Sequence, residues 1–315
     1  LGFAWPATIG KYISSYRNQK LGGEILDILK GCSSGSPAHS YLCFKEKIKP
    51  VLKSNSVSAV MGTLESLSTE TETSDFSGRI ICHSYGHVVG ETAIEVGKEL
   101  GDVIVECGRS CGFGCSHGAA LGLLKKDKSL IENPSKVCDR FDAKTSFPGQ
   151  ELTACQHGLG HGFAEIEGFD LLGSLGHCDK LLTERGKIEC ATGVFMEIFD
   201  APTESHERGQ FPEDILSFCK DLPEFYSVVC MRNSGAQEFK RSNDLERAFA
   251  TCSRLEGDLA KECSESMGAD FHFFFKGEVN SILNSCGEGP DDEVVGGCIN
   301  GAIFSSLVSD PEGAH

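Results

Sequence analysis

The chain has 315 residues, 40% of them hydrophobic, a formal charge of −17 and 16 cysteines. That length can bury a substantial core, and ordinary apolar content excludes a disordered chain or a membrane bundle. The acidic balance excludes nucleic acid as a partner, because phosphate binding needs a basic face.

The first ten residues, LGFAWPATIG, form an apolar arm too short to span a bilayer. It reads as the mature end left after a signal segment is removed, and no later stretch reaches the roughly 18 uncharged apolar residues of a transmembrane span. Phe3 and Trp5 are poorly solvated on a free tail, so the arm is expected to contact another copy or a membrane. Residues 1–53 combine this arm with a hairpin stapled by Cys32 and Cys43. Residues 54–77, SNSVSAVMGTLESLSTETETSDFS, break the pattern with one helix and then a Ser/Thr/Glu-rich exposed loop.

From residue 78 to 315 the chain repeats. Cysteines at 82, 115, 155, 190, 230, 263 and 298 recur every 33 to 40 residues. Most open a block of cysteine, glycine, small residue and bulky apolar residue, such as CSHGAALGLL at Cys115, CQHGLGHGF at Cys155, CATGVFMEIF at Cys190 and CINGAIFSSL at Cys298. Such a period is the signature of helical hairpins. Pro212, Pro223 and Pro290 stand where a first helical turn accepts proline, and strand-like alternation is nearly absent. The expected fold is all-α, with stacked helical hairpins forming an α-solenoid or a closed α/α toroid. The bulky residues Leu121, Phe271 and Phe304 are expected in its core.

Cysteine spacing predicts that each hairpin is stapled by a disulfide. Cys32 and Cys43, Cys219 and Cys230, and Cys252 and Cys263 have ten residues between them; Cys178 and Cys190, and Cys286 and Cys298, have eleven. Cys138 and Cys155 make a looser pair. This spacing suits a cross-link from the end of one helix to the early turns of the next, and it implies an oxidising compartment: extracellular, cell-surface or periplasmic. Cys82, Cys107, Cys111 and Cys115 are left over, in CGRSCGFGCSH and just before His83. They are read either as two more disulfides or as a cysteine–metal centre beside His117.

Two stretches carry the candidate chemistry. CHSYGHVVGE places His83, His87 and Glu91 at four-residue spacing, and CQHGLGHGFAE does the same with His157, His161 and Glu165. Ten histidines would give roughly 0.3 H-x3-H pairs by chance. Residues i and i+4 share a helix face, so each pair presents two imidazoles to one ion, with the glutamate as a ligand, a supporting partner or a candidate base. His117 stands on the block between them. Other blocks fill these positions with Thr192, Asn300, Met196 or Leu121, so the architecture does not require histidine there.

These residues predict a secreted or cell-surface protein with a transition-metal site (zinc, copper, iron or manganese) built from His83, His87, Glu91, His117, His157, His161 and Glu165. The alternative is a non-catalytic subunit of an extracellular filament or sheath, self-associating through the N-terminal arm and the repeat ends. No catalytic residue, substrate or nucleotide-binding loop is indicated.

Overall fold

A computed structural model describes residues 6–33, 37–70, 76–139, 148–199, 211–275 and 278–309. The apolar residues Leu1–Trp5 and the linker loop at 71–75 lie outside the described residues. The described chain is 83% helical and has no strands. Sixteen α-helices follow one another. They are α1 (Pro6–Cys32), α2 (Pro37–Ser54), α3 (Val57–Glu70), α4 (Phe76–Glu95), α5 (Leu100–Cys107), α6 (Gly114–Lys126), α7 (Ser135–Cys138) and α8 (Pro148–Ile166). The series continues with α9 (Leu171–Cys178), α10 (Glu184–Phe199), α11 (Ile215–Lys220), α12 (Glu224–Ser242), α13 (Leu245–Ser253), α14 (Asp258–Phe274), α15 (Val279–Cys286) and α16 (Asp292–Ser309). No helix among the described residues is long and apolar enough to cross a membrane.

The expected hairpins are present, each joining a short helix to a long one. α9, α13 and α15 have only eight or nine residues, below the length at which a helix holds itself in water. Capping and cross-linking supply what length does not. Asp214 and Asp244 accept backbone N–H bonds at the starts of α11 and α13, and Glu278 does so at α15, each cap contributing about 1 kcal/mol. Asn243 ends α12 in the left-handed conformation that stops a helix.

All six expected disulfides form: Cys32–Cys43, Cys138–Cys155, Cys178–Cys190, Cys219–Cys230, Cys252–Cys263 and Cys286–Cys298. The four leftover cysteines pair as Cys82–Cys111 and Cys107–Cys115, and no described cysteine is free. The cysteine–metal centre is therefore corrected. A sulfur shared between two cysteines has no thiolate to offer an ion.

Two compact units divide the chain, the first mainly Leu1–Leu130 with Lys136–Gly158, the second mainly Leu159–Ala201 with Arg208–His315. The core of the first includes Ile25, Phe44, Leu52, Met61, Ile94 and Leu121. In the second, α10, α12, α14 and α16 pack in succession, with Phe239, Phe249, Met267 and Phe271 at the centre of its interior. Phe304 departs from expectation. It is 65% exposed, because α16 is the last long helix and no described helix follows to cover it.

Candidate metal centre

The site begins with how closely two helices approach. A Cβ on Gly118 of α6 would fall inside the carbonyl of His87 on α4, and 2.7 Å from its Cα. Gly90 of α4 is seated in the same way on Cys115 and Ala119. Only glycine permits this backbone contact, and its consequence is to set His117, the residue before Gly118, beside His83 and His87. Ring centroids of His83 and His87 are 4.7 Å apart, and that of His117 is 5.4 and 5.3 Å from them. One nitrogen from each ring lies within 4.8 Å of the others. α8 repeats the device: a Cβ on Gly158 would lie 2.7 Å from the Cα of His117, and His157, just before it, brings its ring to 4.6 Å from that of His117. The dipeptide His-Gly, written at 117–118 and 157–158, passes the row of imidazoles from helix to helix.

His83 is oriented by a backbone atom. Its Nδ1 lies 2.9 Å from the carbonyl oxygen of Cys111. A carbonyl only accepts, so Nδ1 carries the proton and Nε2 the lone pair. Nε2 of His83 faces Nε2 of His87 at 3.0 Å. Four nitrogens around one tetrahedral ion at 2.0–2.1 Å stand about 3.3 Å from one another, so an ion would replace the proton now held between these two rings with little movement.

The carbonyl of Cys111 belongs to an unusual turn. Cys111, Gly112 and Phe113 all have positive φ (54°, 63° and 66°). For the two non-glycine residues this costs of order 1–2 kcal/mol each. Cys82–Cys111 and Cys107–Cys115 bracket the turn, and the backbone N–H of Cys111 donates to Glu65.

In the second unit, His161 is 2% exposed and its Nδ1 lies 2.6 Å from Oε2 of Glu197 on α10. Burial drives its pKa down to about 4; the Glu165 carboxylate pulls upward less strongly, and the Lys240 ammonium adds to the fall. The imidazole is thus neutral near pH 7, with Nδ1–H donating to Glu197 and Nε2 as its basic nitrogen. A carboxylate on the far nitrogen is the usual support of a metal-binding histidine.

No protein-family model, curated protein or solved structure matches this chain.

The two glutamates fare differently from the histidines. Glu91 is fully buried, but its carboxylate is taken up by two ammonium groups and a hydroxyl. Lys45 and Lys125 donate to Oε1 at 2.9 and 2.8 Å, and Tyr41 donates to Oε2 at 3.1 Å. Burial pushes its pKa up, yet the two ammonium groups outweigh that and hold the carboxyl below its ordinary range. Glu165 lies near enough to His161 to influence its charge. Neither glutamate belongs to any described group of three close ligand atoms. Sequence reasoning missed two supporting groups. Glu197 was visible in principle, as a carboxylate inside the apolar run GVFMEIF, whereas the Cys111 carbonyl is backbone and leaves no compositional trace.

Proposed function

We propose that this protein is a disulfide-stapled, secreted or cell-surface metal binder that holds a transition metal ion on His83, His87 and His117, with His157 extending the row. The observation that carries this reading is the convergence of three imidazole nitrogens from two helices within 4.8 Å. An all-nitrogen set of this kind suits zinc, copper or iron rather than calcium, magnesium or manganese, which prefer oxygen. Eight disulfides support an oxidising compartment. The test is metal analysis of natively purified protein, followed by titration of metal-free protein with zinc and copper. Stoichiometric binding that disappears in the His83→Ala/His87→Ala/His117→Ala variant is expected. Equal affinity of wild type and variant would sink the reading.

A second reading, assembly, is favoured by one observation. Ile303, Phe304 and Leu307 of α16 are 53%, 65% and 50% exposed and fall on one helix face. Of the matching positions of α10, Phe195 and Phe199 are buried and Met196, the match of Phe304, is half-buried. The stripe is thus shaped for another repeat of the same kind, which a second copy of this chain supplies. Light scattering decides it: Phe304→Glu should lower the mass of wild-type particles, and a monomeric wild type removes the proposal.

A further inference from the structure

We infer that the Cys82–Cys111 disulfide and the left-handed turn it holds are a positioning device for the metal site, setting the tautomer and aim of His83; this rests on the metal-binding reading above. Three facts join at one point. Cys82 immediately precedes His83 on α4 and is bonded to Cys111. The carbonyl of Cys111 accepts the Nδ1–H of His83 at 2.9 Å. That carbonyl opens a turn in which Cys111, Gly112 and Phe113 all take positive φ.

Two of those residues are not glycine, so the turn is not one the chain adopts unaided; it persists where surrounding bonds over-determine it. Here the determinants are the two disulfides that bracket it and the Cys111 N–H bond to Glu65. Without the bond to Cys82, the remaining Cys107–Cys115 disulfide closes the turn but does not tie Cys111 to the helix that carries His83. The ring of His83 would then be free to turn and to exchange tautomers, and every state with its proton on Nε2 would present N–H where an ion needs a lone pair. Removing the partner of a metal-binding histidine typically lowers affinity 10- to 100-fold.

A structural staple alone makes a different prediction, so the comparison needs a control. The Cys219–Cys230 pair is a staple of the second unit, spanning 11 positions where Cys82–Cys111 spans 29. Zinc affinity should fall about 10- to 100-fold in Cys82→Ser/Cys111→Ser and stay within about threefold in Cys219→Ser/Cys230→Ser. Equal losses in the two, or none in the first, would overturn the inference. A second measurement needs neither a variant nor a metal. Nitrogen-15 NMR of metal-free wild-type protein should show His83 protonated at Nδ1 alone. Protonation at Nε2 overturns the positioning role even if the serine variants fail to fold. If wild type binds no zinc, the metal reading fails, while the tautomer still decides whether the Cys111 carbonyl governs this ring.

Discussion

Replacing Gly118 by alanine tests the link from backbone packing to the site. In an exposed helix interior the change would be favourable by about 1 kcal/mol, since alanine is the better helix former. At Gly118 the added methyl would lie 2.7 Å from the Cα of His87 and overlap its carbonyl. Carbon–carbon contact becomes comfortable at about 3.5 Å, so α4 and α6 must part by roughly 0.8 Å or more. Overpacking of this kind costs about 1–3 kcal/mol, which outweighs the propensity gain. The same displacement moves His117 away from His83 and His87, and ligand sets tolerate only about 0.5 Å of error. Gly62, in helix α3, has nothing within 4 Å of its missing Cβ and is the control. Thermal unfolding should give a lower midpoint for Gly118→Ala and an equal or higher one for Gly62→Ala, and zinc affinity should drop at least tenfold only in the first. A Gly118→Ala protein as stable as wild type, binding metal normally, would refute the close-packing argument.

Glu91→Gln should destabilise the protein by about 1.5–3 kcal/mol at neutral pH, because it takes away the buried carboxylate that the Lys45 and Lys125 ammonium groups share, although Lys45 keeps its ion pair with Glu95. Because the folded carboxyl is held below its unfolded value, its contribution is complete above the unfolded pKa and fades as pH falls through the folded one. The wild-type advantage over Glu91→Gln in melting temperature should therefore shrink in acid. His161 produces a separate pH dependence. Its folded pKa, about 4, lies below the unfolded 6.5, so stability is lost as pH falls from 6.5 towards 4. The loss is at most about 3 kcal/mol, since Glu197 would hold part of the proton, and it should flatten in a His161→Gln/Glu197→Gln variant followed by denaturant titration. Cys252→Ser/Cys263→Ser should cost about 3 kcal/mol, measured by urea unfolding, because it frees a short loop between α13 and α14; no change would mean that packing alone holds the hairpin.

The hairpins and six of the staples were legible because they depend on local rules. A short helix, a turn and the start of a longer helix fix a cysteine separation of eleven or twelve positions in most cases. Cys107, Cys111 and Cys115 obey no such rule. They stand at four-residue spacing, and only the reversal through Cys111, Gly112 and Phe113 decides who meets whom. Nothing but Gly112 hinted at that reversal. Glu91 was assigned to the histidine row by periodicity, yet it stands eight residues, or about 12 Å, beyond His83 along the helix axis. The lysines that claim it come from α2 and α6, which local sequence cannot place. Phe304 was misplaced for the opposite reason. Its block looks like the others, and only its position in the last long helix leaves it uncovered.

The cysteine before each H-x3-H now has a physical reason. A histidine site costs conformational entropy when long rings must be held for an ion, and that cost falls when the backbone beneath them is already fixed. Cys82 and Cys155 place a cross-link within two residues of His83 and His157. The glycines after His117 and His157 then seat the neighbouring backbones in contact at the level of the rings. The blocks at Cys190 and Cys298 keep the staple and the glycine but carry Thr192 and Asn300 in the histidine position. Cross-link and close contact therefore belong to the repeat, and the imidazoles are an addition to it. An addition confined to three consecutive blocks, on helices whose packing brings the rings of His83, His87, His117 and His157 together, is what selection for one shared ligand set would leave.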